Sequence, residues 1–150
     1  MTTRFISIIL AFLLIAADEK IKPRYGIEPN DSYKQSTPAE TLRSVLAAID
    51  AKRVDYVLAH LADPAFVDER VKQTGGRFEI MVKETTRKLE ADSESLRDLR
   101  RFLTDGEWKE DGATASAACK SVKGKQVYFK KIGERWFFMN RVKPAKDEQP

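Results

Sequence analysis

Few residues in this 150-residue chain carry groups that attack, ligate or titrate near neutrality: it has one histidine, His60, and one cysteine, Cys119. Tyr56 stands four positions before His60, so on a helix the two side chains share a face. This is the one spacing that sets two polar groups at a pocket rim. A reactive thiolate needs a nearby histidine or a helix N-terminus to lower its pKa. Cys119 instead closes the run Ala113-Thr114-Ala115-Ser116-Ala117-Ala118-Cys119, in which every second residue is small and apolar. That pattern reads as a buried strand face under a helix; core packing explains Tyr56 as well as a pocket rim does, and an exposed or hydrogen-bonded structural role is the alternative for His60. One histidine, one cysteine and scattered carboxylates give no metal-ligand spacing. Gly75-Gly76 lacks the following Lys-Ser/Thr of a phosphate loop. No catalytic residue, metal or cofactor is therefore expected.

Charge offers a second candidate. Lys120, Lys123, Lys125, Lys130 and Lys131 cluster around one predicted hairpin and would attract an anionic polymer or surface. The same lysines also serve to keep a sheet edge from aggregating. The whole chain has 27 Lys+Arg against 23 Asp+Glu, a net +4 with interspersed signs, which by itself does not imply nucleic acid.

These residues must be held by an ordinary globular domain, 42% hydrophobic and 33% charged. Residues 1–17 read as a signal peptide: Arg4, then an apolar run from Phe5 to Ala16, then Ala16-Ala17 before Asp18. That run is shorter than the ~20 residues a spanning helix needs. The sequence thus predicts export to the periplasm or medium, with an uncleaved N-terminal membrane anchor as the alternative. A lone cysteine fits that compartment and provides no internal disulfide. Residues 18–36, with Pro23 and Pro29 and no periodicity, form a polar arm that Tyr25, Ile27 and Tyr33 would anchor.

The folded domain spans residues 37–142. Thr37-Pro38-Ala39-Glu40 is a capping box opening a helix to about Ala51, with Leu42, Val45, Leu46 and Ile49 as its stripe. A short helix over Val54–Leu61 follows, with Asp55 expected as its cap. Asp63-Pro64 opens a third, ending at Gly75-Gly76. Phe78, Met81, Val82 and Leu89 mark a fourth, and Ser95–Leu103 a fifth. From Trp108 the period changes to two. Breaks at Glu110-Asp111-Gly112, Lys123-Gly124-Lys125 and Ile132-Gly133-Glu134 divide a four-stranded meander, with strands over Ala113–Val122, Gln126–Ile132 and Arg135–Arg141 following the first. Helices followed by a meander imply an α+β fold, N-terminal helices packed on a curved four-stranded antiparallel sheet. Residues 143–150 form a polar tail.

Two stretches carry a family resemblance. The run from Thr37 to Val57, a Pro-Glu-capped helix, a charged turn and the Asp55-Tyr56 pair, resembles the opening of small exported domains of the nuclear transport factor two-like superfamily. The closing Val127–Phe138, with Gly133-Glu134-Arg135-Trp136, is similar to the final hairpin of that superfamily. The resemblance covers roughly residues 37–142. It implies a cone-like fold whose curved sheet wraps a long helix, often paired through the outer sheet face. It also implies relatives of the ketosteroid isomerase, polyketide cyclase and scytalone dehydratase type, which place an acid or histidine and a tyrosine or aspartate in a pocket between helix and sheet.

The inner strands here offer small and aromatic residues, with no Asp, Glu or His. The expected function is therefore an exported, non-enzymatic domain holding a small apolar ligand or a protein partner, with Tyr56, His60, Cys119 and Trp136 at the pocket rim. The alternatives are a pocket enzyme of the isomerase or cyclase type and polyanion binding by the lysine hairpin. In the last strand Trp136 and Phe138 face the helices, while Phe137 and Met139 face away and join Tyr128 in an apolar patch. That patch predicts a homodimer through the sheet, or else the arm folded back over it.

Overall fold

The computed structural model describes residues 20–140. The expected signal segment, the end of the domain beyond Asn140 and the polar tail lie outside them. Helix α1 spans Pro38–Asp50. Its cap is the predicted one: Thr37 Oγ1 accepts from Glu40 N at 3.1 Å, and Glu40 reaches back to accept from Ser36 N at 3.1 Å. Helix α2 begins with α geometry over Val54–Tyr56 and finishes as a π-turn over Val57–Leu61, closed by Ala62 N donating to Val57 O at 2.8 Å. Arg53 occupies its N-cap position. Asp55, expected there, lies inside the first turn and pairs with the Arg53 guanidinium at 2.9 Å.

Helices α3 (Pro64–Gln73), α4 (Phe78–Ala91) and α5 (Ser93–Asp105) complete the helical half. Asp63 caps α3 as expected. Helix α5 starts two residues before the predicted Ser95, because Asp92 accepts from Ser95 N at 3.0 Å and draws the intervening residues into the first turn. At its end Gly106 is obligatory, since a Cβ there would sit 2.1 Å from the Phe102 carbonyl oxygen.

The sheet is antiparallel in the order β1-β2-β3-β4, with strands Glu107–Asp111, Thr114–Cys119, Val122–Ile132 and Arg135–Met139. The α+β class and helices-then-sheet order are as the sequence predicts. One turn is not. Lys123-Gly124-Lys125 lies inside β3, and the chain reverses instead at Lys120-Ser121. The register passes from Ala118↔Gln126 to Cys119↔Val122 across a bulge. Gly124, at φ 73°, supplies the positive φ that the bulge requires.

Alternation along the strands sends Ala115, Ala117, Val127, Phe129 and Trp136 inward against Leu42 and Leu46 of α1 and Phe102 of α5. Trp136 is 4% exposed, on the helix-covered face as expected. A second cluster joins α1 to Tyr56, Val57 and Leu61. A third joins Val54 and Leu58 to Val67, Val71 and Met81 of α3 and α4.

The arm is part of the packing. Ile27 and Tyr33 join the second cluster, and Tyr25 stacks on Phe78 with ring centroids 4.3 Å apart. It therefore lies against the helices, and the idea that it covers the outer sheet patch is corrected. Phe137 is also not the exposed residue expected. It is 6% exposed, because the Arg135 guanidinium lies 4.9 Å from its ring centroid and cross-strand Lys130, tied to Asp63 at 2.9 Å, flanks it. Tyr128 and Met139 are half-buried. No described helix is long and apolar enough to cross a membrane.

Candidate functional site

The residues proposed for one pocket rim fall into two places. Tyr56 and His60 do share a helix face, with ring centroids 4.9 Å apart. That face is packed shut: His60 is 0% and Tyr56 3% exposed. The Tyr56 hydroxyl accepts from Asn30 N at 3.0 Å and faces Asn30 O at 3.3 Å. His60 Nε2 lies 2.7 Å from Ile27 O, which makes it the N–H donor, while Nδ1 is buried without a hydrogen-bond partner. Burial holds the His60 pKa below its ordinary value, opposed by the Ile27 bond and reinforced by Arg135 and Arg24.

The π-turn around His60 acts as a junction. Its carbonyls stand at a helix C-terminus, where cations are favoured. Arg24 Nε donates to Ala59 O at 2.8 Å and Arg135 Nη2 to His60 O at 3.1 Å. Arg135 also donates to Gln35 Oε1, and Gln35 Nε2 donates to Trp136 O at 2.8 Å. Trp136 N in turn donates to Gln35 O at 3.0 Å. These bonds seal the β4 edge with the arm.

Cys119 and Trp136 belong to the other cluster, and only Cys119 reaches a cavity. Between the N-terminal half of α5, the end of α4 and the bulged β2–β3 hairpin lies an open groove of about 940 Å³. Its buried wall contains Phe102, Cys119, Val122 and Val127, with half-buried Leu99 and Phe138 beside them. Of the small inner residues of β2 only Cys119 lines the groove, Ala115 and Ala117 being packed in the core cluster, and the bulge widens the hairpin end. Cys119 Sγ lies 3.0 Å from Ser121 Oγ.

The lysines separate as well. Lys120, Lys123 and Lys125 line this groove, with Lys88 from α4. Lys130 and Lys131 lie at the far end of β3, and Lys130 is bound to Asp63. The five therefore do not form one patch. A smaller hollow of about 550 Å³, lined by residues 26–31 with Arg53 and Tyr56, is shallow and polar. Among the described residues no group of three or more His, Cys, Asp or Glu side chains is placed to hold a metal ion.

No family model, curated protein or solved structure matches this chain.

Proposed function

We propose that this protein is an exported binding domain of the nuclear transport factor two-like kind, and that the groove between α5 and the β2–β3 hairpin holds an apolar molecule. The observation that carries this reading is the groove itself, whose volume falls in the ~300–1,000 Å³ range of small-molecule sites and whose wall is hydrocarbon from Leu99, Phe102, Val122 and Val127. The carboxylates and the thiol beside it are already engaged. Asp98 is bound to Lys125 at 2.9 Å, Asp92 caps α5, and Cys119 faces Ser121. This favours holding a ligand over transforming it. The apolar run after Arg4 supports export, and the two stretches at Thr37–Val57 and Val127–Phe138 support the family.

The test is titration of the full chain with the uncharged fluorophore N-phenyl-1-naphthylamine. A saturable 1:1 enhancement is expected, and Leu99→Trp, which fills the groove from its α5 wall, should abolish it while leaving the far-UV circular dichroism unchanged. Absence of saturable binding, or undiminished binding to a folded Leu99→Trp protein, would remove the groove reading.

A further inference from the structure

We infer that the occupant of the groove is a single-chain amphiphile with an anionic headgroup, a free long-chain carboxylate, its alkyl chain along Phe102, Val122 and Val127 and its headgroup at Lys120 and Lys123. This deepens the groove reading and rests on it.

The charges at the groove do not cancel. Four lysines line it, Lys88, Lys120, Lys123 and Lys125, against two carboxylates, Asp92 and Asp98. Asp98 is committed to Lys125 at 2.9 Å and to Arg101 at 3.9 Å. Asp92 is engaged by Ser95, whose N–H and hydroxyl donate to it at 3.0 and 2.6 Å. Lys88, Lys120 and Lys123 are exposed and make no ion pair among the described residues. The opening thus presents net positive charge directly above a hydrocarbon wall.

A cationic headgroup would meet like charges there, and a wholly apolar molecule would leave the lysine charge unanswered. An anion attached to one alkyl chain satisfies both parts. The apolar surface is a trough recessed between a helix and a hairpin, with Cys119 and Val127 each 7% exposed at its base. A monomeric chain can lie in such a recess, whereas a bilayer surface cannot follow it.

The experiment is displacement of N-phenyl-1-naphthylamine from the full chain by laurate, myristate, 1-tetradecanol and tetradecyltrimethylammonium, each below its aggregation threshold, and by anionic phosphatidylglycerol vesicles. Myristate should displace best. Each methylene that reaches the wall should tighten binding by about fourfold, which orders myristate before laurate. The exposed double substitution Lys120→Glu/Lys123→Glu should weaken myristate by about tenfold and leave tetradecanol unchanged. Raised salt should weaken myristate alone.

Equal displacement by myristate and tetradecanol in both proteins would overturn the anionic headgroup while leaving an apolar groove. Displacement by vesicles but not by monomeric myristate would assign the lysines to a membrane surface and overturn the proposal. Failure of the fluorophore itself to bind would overturn the groove reading beneath it.

Discussion

At the β4 edge, Trp136 N and O both bond to Gln35, Asp63 N donates to Phe138 O, and Arg135 bridges Gln35 to the His60 carbonyl. At the opposite end, where β2 passes into β3, Cys119 and Val127 face an open groove ringed by exposed lysines. Both ends belong to one sheet and rest on the same core cluster. The difference lies in what the chain supplies to each. At the β4 end it spends an arm, a π-turn and two arginines on satisfying backbone groups that would otherwise be unpaired. At the other end it places Cys119 and a bulge, and the space under α5 is left unfilled.

The largest break in this contrast should come from the closed end. Trp136→Ala removes a buried indole from the main cluster and should cost ~3–5 kcal/mol, read as a lowered urea midpoint. An unchanged midpoint would mean that the face is not the core. Gly106→Ala comes next, because its new Cβ meets the Phe102 carbonyl at 2.1 Å and backbone must move. A loss of ~1–3 kcal/mol is expected from overpacking of this kind, and a variant as stable as the parent would contradict the close approach. Gln35→Ala removes the side-chain acceptor of Arg135 and one of the two side-chain donors to Trp136 O, leaving Arg135 on the His60 carbonyl, and should cost ~1–2 kcal/mol.

His60 sharpens the contrast through pH. Its folded-state pKa is depressed by burial below the ordinary 6.5, so well above pH 6.5 it is neutral in both states and stability is at its plateau. As pH falls below 6.5 the unfolded chain takes a proton that the folded protein resists, and stability declines until the folded pKa is reached. Urea midpoints of the parent should drop between pH 7.5 and 5.5 more than those of His60→Gln. Equal slopes would show that His60 is not held neutral. The smallest effect belongs to the exposed Arg100–Asp50 pair at 2.6 Å, where Arg100→Ala should change stability by less than ~1 kcal/mol.

Much of the fold was legible in local chemistry. Thr37-Pro38 with Glu40, and Asp63-Pro64, announce helix starts because capping is decided within four residues. The change of period at Trp108 announces the sheet. Gly124 misled because positive φ serves a bulge as well as a hairpin turn, and Lys120-Ser121, where the chain does reverse, has no glycine or asparagine to mark it. Phe137 misled because alternation tells which face a side chain takes but not that Arg135 and Lys130 will cover it.

The site was half legible. The alternating Ala115, Ala117 and Cys119 read as a buried face, which they are, but the groove is defined by missing volume, and only the packing of α5 shows where that volume is missing. Tyr56 and His60 were correctly placed on one face. That the arm closes over them depends on contacts such as His60 with Ile27, 33 residues away in sequence, which no local pattern encodes.

Mapping of amide chemical shifts during titration with N-phenyl-1-naphthylamine tests the central claim most directly, since both ends of the sheet report in one spectrum. Saturable shifts should gather at Leu99, Phe102, Cys119, Val122 and Val127, with Gln35, His60 and Arg135 unmoved. Shifts centred on Tyr56, His60 and the arm, or spread evenly over the protein, would contradict it.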